Sequence, residues 1–116
     1  MSRMAIVVLS GPDDPGRASA GLHVAKRIAD AQASNGIEVV EVFLFADGIK
    51  ILGQPDSELG RLVRELIEAG LVVGGCTNQL KNGNLEEAAS ALGVRAEFAR
   101  DTFARYAREG YTVLTF

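Results

Sequence analysis

From Met4 to Leu9 the chain is an unbroken apolar run rich in Ile and Val, closed by Gly11-Pro12. A run of that length without polar alternation predicts a strand buried on both faces. The period then changes. Between Gly16 and Ser34, Ala18, Gly21, Leu22, Ala25, Ile28 and Ala29 share one helical stripe, while Ser19, His23, Lys26, Arg27, Asp30 and Ser34 share the other. This predicts an amphipathic helix, stopped by Asn35-Gly36 because Gly accepts the left-handed conformation after a C-cap. A second strand is predicted at Val39 to Phe45, followed by Ala46-Asp47-Gly48 and a loop from Ile49 to Asp56 broken by Pro55. Leu59, Leu62, Val63, Leu66 and Ile67 then match the i, i+3, i+4, i+7, i+8 template of a helix that Gly70 ends. Arg61 with Glu65 and Arg64 with Glu68 are spaced as i,i+4 ion pairs on its wet side.

Leu71 to Val73 reads as a third strand running into a turn at Gly74-Gly75-Cys76. Asn84 is placed to cap a short helix over Leu85 to Leu92, with Gly93 as its stop and a brief strand at Val94 to Ala96. A last helix spans about Glu97 to Glu109, and Gly110 leads into a strand from Tyr111 to Phe116. Helix, single glycine and apolar strand recur in that order after Asn35, Ala69 and Glu109. Strands that follow helices so closely, with no Asn-Gly or Asp-Gly turn joining two strands, predict a mostly parallel sheet. The expected architecture is an α/β protein, a three-layer α/β/α sandwich of four or five strands.

Composition narrows the chemistry. The 116 residues, 47% of them apolar, fit one domain over 1–116. A domain of this size buries roughly two thirds of the surface its unfolded chain exposes, enough for a core without disulfides or metal staples. One cysteine and one histidine exclude, within one chain, a disulfide framework, a zinc finger or a Cys-x-x-Cys redox motif. Twelve basic against fifteen acidic residues, net charge -3, disfavour nucleic acid as a partner, because phosphate backbones call for clustered cations. The apolar run Ala5 to Leu9 is too short for a leader, and no stretch approaches the roughly 18 apolar residues of a bilayer span. The expectation is a cytoplasmic protein, away from membranes and in a reducing compartment.

In open parallel sheets ligands bind beyond the carboxyl ends of the strands. The loop after the first strand supplies Ser10, Gly11, Asp13, Asp14 and Arg17, that after the second Asp47, Gly48 and Lys50, and that after the third Gly75, Cys76, Thr77, Asn78 and Gln79. The sole cysteine therefore falls on the expected functional rim. A thiol acts as a nucleophile when ionised, which amides of a following helix or nearby cations favour and nearby carboxylates oppose. Lys81, Lys50 and Arg17 stand on one side of that balance, Asp13, Asp14 and Asp47 on the other. The plainer reading is that Cys76 is a small buried hydrophobe. His23 shares a stripe with Lys26, Arg27 and Asp30, which favours a solvated residue over a catalytic base. Asp13 and Asp14, beside Pro12 and Pro15, read as turn and N-cap residues more simply than as acid-base groups or metal ligands.

Several sharper motifs fail on spacing. Ser10 to Arg17 lacks the Gly-Lys-Ser/Thr of a Walker A loop and is not G-x-G-x-x-G. A Cys-x5-Arg phosphatase loop needs Arg where Asn82 stands, and a receiver-domain phosphorylation site needs an aspartate where Gly75 and Cys76 stand. The rim loops carry no aromatic residues to sandwich a flavin. No metal or organic cofactor is expected.

Four segments carry a resemblance: Gly11-Pro12 with the small-residue helix Ala18-Ser19-Ala20-Gly21-Leu22, the run Glu41-Val42-Phe43-Leu44-Phe45-Ala46-Asp47-Gly48-Ile49, the pair Gly75-Cys76, and Val113-Leu114-Thr115-Phe116. Together they resemble the DsrE/DsrF-like family of small sulfur-relay and sulfur-oxidation proteins. The resemblance implies a flavodoxin-like fold and assembly into homo-oligomers, trimers or hexamers, or assemblies with related subunits. In relay members it also implies a cysteine carrying sulfur as a persulfide between donor and acceptor proteins. Cys76 matches that position, with Gly11, Asp47, Gly75, Thr77, Asn78 and Lys81 as the residues around the substrate. Where relay members tend to continue with small residues and Arg-Gly, this chain reads Thr77-Asn78-Gln79-Leu80-Lys81-Asn82-Gly83, leaving Lys81 as the available cation. The expected role is a persulfide-type sulfur transferase or carrier. The alternative is a non-catalytic oligomeric binding or scaffold module with a structural Cys76, a role to which Phe98, Phe103 and Tyr106, spread around the last helix, would also suit.

Overall fold

The unbroken apolar run near the N-terminus forms the inner strand β1 (Arg3–Val8) of the computed structural model, which describes residues 2–116. Helix α1 (Pro15–Asp30) follows, with Pro15 at its first turn and Asp14 at the N-cap; the Asp14 side chain makes no cap bond and instead pairs with Arg17 at 3.7 Å. The backbone departs from the helix at Ala31 before a four-residue turn, α2 (Gln32–Asn35), which Gly36 closes with φ of 74°. Next come β2 (Val39–Leu44), a 3-10 helix (Ala46–Gly53), and α3 (Glu58–Glu68), whose N-cap Ser57 accepts the Gly60 N–H at 3.1 Å. The chain continues through β3 (Val72–Cys76), α4 (Thr77–Asn82), α5 (Glu86–Leu92), β4 (Arg95–Glu97), α6 (Ala99–Arg108) and β5 (Tyr111–Thr115).

The five strands lie in the order β4-β3-β2-β1-β5, every pair parallel. The period of two divides β1 and β2 between two faces. Ile6, Val8, Val40, Val42 and Leu44 meet α1 and α3 through Ala18, Leu22, Ala25, Leu59, Val63 and Leu66. On the opposite face Ala5, Val7, Phe43 and Cys76 pack with Tyr106 of α6. The larger core has the 3-10 helix, α4 and α5 as further cover through Ile49, Ile51, Leu52, Leu80 and Ala89, whereas α6 alone covers the smaller one.

Five details differ from the sequence-based expectation. Residues 49–53 are not open loop, because Ile49, Ile51 and Leu52 are buried and draw Ala46–Gly53 into a 3-10 helix, while residues 54–56 remain a turn around Pro55. Gly74 and Gly75 are not a turn; they continue β3 because their neighbours leave little room for a side chain. A Cβ on Gly74 would stand 2.8 Å from Glu97 Oε1 and 3.1 Å from the Phe43 ring, and one on Gly75 3.2 Å from Ile49 Cδ1. Helix α4, with only Leu80 buried, shows no apolar period from which six residues could be recognised. Asn84 does not cap α5: it takes φ of 54°, Leu85 is the N-cap, and no side chain caps the helix. Among the described residues, neither Arg61–Glu65 nor Arg64–Glu68 closes to ion-pair distance.

Candidate functional site

The carboxyl ends of β1 and β2 are locked by backbone against backbone. A Cβ on Gly11 would lie 2.1 Å from the Asp47 carbonyl oxygen, and one on Gly48 2.1 Å from that of Val8. Only glycine permits both approaches. Between the two, Ala46 is held at φ of 53°, and its N–H donates to Gln79 Oε1 of α4 at 2.8 Å. Lys50 Nζ sits 2.8 Å from Asp47 Oδ1; this contact holds the Asp47 carboxyl below its ordinary range and the Lys50 ammonium above its own. Lys50 is thereby engaged by Asp47. A hollow of about 280 Å³ opens here, lined by Asp47, Lys50, Gln79 and Asn82 among others.

Cys76 closes β3 and is the N-cap residue of α4, with φ of -66° and ψ of 119°. Its side chain belongs to the smaller core, with Ala5, Val7, Phe43 and Tyr106, against which Phe45, Ala99 and Tyr111 pack. The residue is 5% exposed. Phe103 of α6 meets Phe43 and Phe45 edge-on, each at 5.5 Å between ring centroids. Across the strand pair, Cys76 is in register with Glu97, whose carboxylate lies over Gly74. Partners in a parallel ladder point to the same face, so both side chains lie on the α6 side of the sheet.

The other residues singled out on the rim distribute differently. Gly11 and Asp47 touch each other. Gly75 faces Ile49, Leu80 and Val94 in the larger core, and Thr77 borders a hollow with Leu80, Ala89 and Val94 on that side. Asn78 and Lys81 are exposed on α4. These positions surround the strand ends from the α1 side of the sheet, while the sulfur faces α6. His23 is exposed on α1, in keeping with its polar stripe. In the strand order, β1 lies between β2 and β5, so the topological switch falls at β1 and β5. There Leu9 N–H donates to the Phe116 carbonyl at 2.7 Å, and Phe116 packs so closely on Gly21 that a Cβ there would stand 2.9 Å from it. The cysteine is two strands away from that point.

Below the sulfur on the same face is a polar cluster that the sequence reading passed over. Glu41, 6% exposed, receives Arg105 Nη2 at 2.6 Å, Arg105 Nη1 at 3.3 Å and the Tyr111 hydroxyl at 2.9 Å. Burial alone would raise its carboxyl, but the Arg105 and Tyr111 hydrogen bonds and the Arg105 charge outweigh burial and hold it below the usual carboxylate range. Arg105 also lies over the Tyr106 and Tyr111 rings and 4.0 Å from Glu97. Burial, then the Glu41 charge, push the Tyr106 phenol far above its ordinary value. Among the described residues, two buried hydroxyls have no hydrogen-bond partner, Thr102 Oγ1 and Tyr106 OH. The available signal was Glu41 itself, a lone charge inside the apolar run Val39 to Phe45.

Among the described residues no three His, Cys, Asp or Glu side chains are grouped to hold a metal ion, and no helix is long and apolar enough to cross a membrane. A parallel α/β sheet with its one thiol at the carboxyl end of an inner strand defines the class of protein. More narrowly, the chain belongs to the DsrE/DsrF-like family, whose model matches residues 2–116. No curated protein matches the sequence. Among solved structures, it is similar to a conserved protein of unknown function from Bacteroides thetaiotaomicron, with TM-score 0.75 at 13% identity over 97% of this chain and 94% of that one. It is also similar to the ychN protein of E. coli, with TM-score 0.72 at 17% identity over the full length of both chains. A protein of unknown function from Methanobacterium thermoautotrophicum gives TM-score 0.64 at 20% identity, again over both full lengths. At these identities the likeness is one of fold.

Proposed function

We propose that this chain is a sulfur carrier in which Cys76 holds sulfur as a persulfide. The observation that carries the reading is the placement of the only thiol of a DsrE/DsrF-like chain at the end of β3. In the proposed step the Cys76 thiol gives its proton to solvent and the thiolate attacks the outer sulfur of a donor persulfide. A new S–S bond forms, the donor S–S bond breaks, and the donor leaves as a thiolate that takes up a proton from solvent. Delivery is the same exchange run toward an acceptor thiol. Sulfur moves without net oxidation, and the reaction calls for neither metal nor organic cofactor. The reading places the protein in the cytoplasm, working with sulfur donor and acceptor proteins.

The burial of Cys76 favours a second reading, an oligomeric binding or scaffold module in which the sulfur is packing. Intact mass after exposure to glutathione persulfide separates the two. The carrier gains one sulfur atom on the wild type and none on Cys76→Ser; a wild type that stays unmodified over a range of donor concentrations leaves the binding module.

Both readings include assembly, as a trimer, a hexamer or with related subunits. Leu9, Phe98, Phe103, Val113 and Leu114 are exposed, more apolar side chains than an isolated small domain needs to show. Light scattering coupled to size exclusion is expected to return a multiple of the monomer mass, and a monomer at all concentrations would exclude it.

A further inference from the structure

Thr102 is 1% exposed on α6, and its hydroxyl has no hydrogen-bond partner. A buried hydroxyl left without a partner costs about 1–3 kcal/mol, so such groups are rare and ask for an explanation. A threonine inside a helix ordinarily turns its hydroxyl back to the carbonyl four residues earlier. For Thr102 that is the Phe98 carbonyl, which already accepts the N–H groups of Asp101 at 2.9 Å and Thr102 at 3.0 Å. Both lone pairs are thus engaged by backbone.

The helix phase says which face the side chain occupies. Ala99, Thr102 and Tyr106 stand at i, i+3 and i+7, one stripe of α6. Ala99 and Tyr106 both belong to the packing cluster that contains Cys76, and Thr102 lies between them on the buried side of the helix. The Tyr106 phenol is also unpartnered, but it stands one turn further along α6, against the Tyr111 ring at 4.9 Å and under the Arg105 guanidinium at 5.1 Å. Two carboxylates, Glu41 and Glu97, face this space with one guanidinium, that of Arg105, close to both. A further negative charge therefore needs a donor that brings none of its own.

We propose that Thr102 Oγ1 is the hydrogen-bond donor for the sulfur carried on Cys76, left unpaired in the empty protein and satisfied when the terminal persulfide sulfur arrives as its acceptor. The inference rests on the carrier reading and extends it to a positioning residue on a different element. The loaded state then gains a hydrogen bond to an anionic acceptor that the empty state lacks, which biases the exchange equilibrium toward loading. No bond to Thr102 is made or broken.

The test equilibrates the full-length protein in glutathione persulfide and glutathione buffers of fixed ratio and reads the loaded fraction by intact mass. Thr102→Val keeps the shape and removes the donor; its loading constant is expected to fall about tenfold or more, the scale of a hydrogen bond to a charged group. Thr102→Ser restores the hydroxyl and is expected to load as the wild type does. Thermal unfolding of the empty Val variant is expected at or above the wild-type midpoint, because an unpaired buried hydroxyl has been removed. Equal loading of Val and wild type, or equal loss in Val and Ser, assigns Thr102 to packing and overturns the inference while leaving the carrier intact. A wild type that never loads overturns the carrier reading and this inference with it. Thr102→Ala serves as the donor-free variant if Val does not fold.

Discussion

Replacing Gly48 by alanine is expected to destabilise the protein by about 3 kcal/mol or more, the upper part of the range for forcing atoms into a filled interior. The added methyl would stand 2.1 Å from the Val8 carbonyl oxygen, and that atom is backbone at the end of β1, with no side-chain rotamer to relieve the clash. Gly11→Ala meets the Asp47 carbonyl at the same 2.1 Å, so the two substitutions attack one lock from its two sides and should be far from additive when combined. Gly16 is the control. It lies in the first turn of α1 with nothing within 4 Å of a Cβ, and alanine there is expected to be neutral or stabilising by up to about 1 kcal/mol. Urea unfolding midpoints measure all three. A Gly48→Ala protein that unfolds with the wild type would show that the strand ends separate freely.

Removal of the Glu41 carboxylate should have the next largest effect. Glu41→Ala strips Arg105 and the Tyr111 hydroxyl of their common acceptor beneath α6, and a loss of about 2–3 kcal/mol is expected. That is below the full cost of breaking a buried pair because Arg105 is about a quarter exposed at 26%. The pH dependence identifies the charge. The Arg105 and Tyr111 contacts hold the folded-state pKa of Glu41 below the ordinary glutamate value, so over the window between the two the unfolded chain binds more protons than the folded one. The stabilisation is present above the unfolded-state value and is lost as pH falls through the lower folded-state value. Compared with Glu41→Gln, the wild type should keep a constant advantage from pH 6 to 8 and lose it progressively below about pH 4.5. A difference independent of pH would assign the effect to packing.

What the chain discloses before folding depends on the range of the interaction involved. Strands and long helices were legible because Met4–Leu9 and Leu59–Ile67 each carry their own period, and parallel pairing followed from helices joined to strands by single glycines. The 3-10 helix was not, since Ile49, Ile51 and Leu52 fit no simple period and are ordered by the core they enter. Gly74-Gly75 has the composition of a turn, and its place inside a strand depends on Glu97, Phe43 and Ile49, which are distant in sequence. Cys76, expected on the loop beyond the third strand, is instead the last residue of β3, and the face it occupies was not legible. That face follows from the strand continuing through both glycines, which turns Gly75 toward α4 and Cys76 toward α6. Glu41, Glu97 and Arg105 were not legible as one cluster because only the closed tertiary structure assembles them.

The unequal cover of the two sheet faces has a dynamic consequence. Opposite α6, the larger core is clamped by several elements whose loosening would dismantle the whole protein. On the sulfur's side one ten-residue helix, α6, buries only Thr102 and Tyr106 and is tied to the sheet by Arg105. Segments with so few buried anchors detach at a small fraction of the global unfolding free energy. Release of that single segment would open the smaller core while leaving the larger one closed.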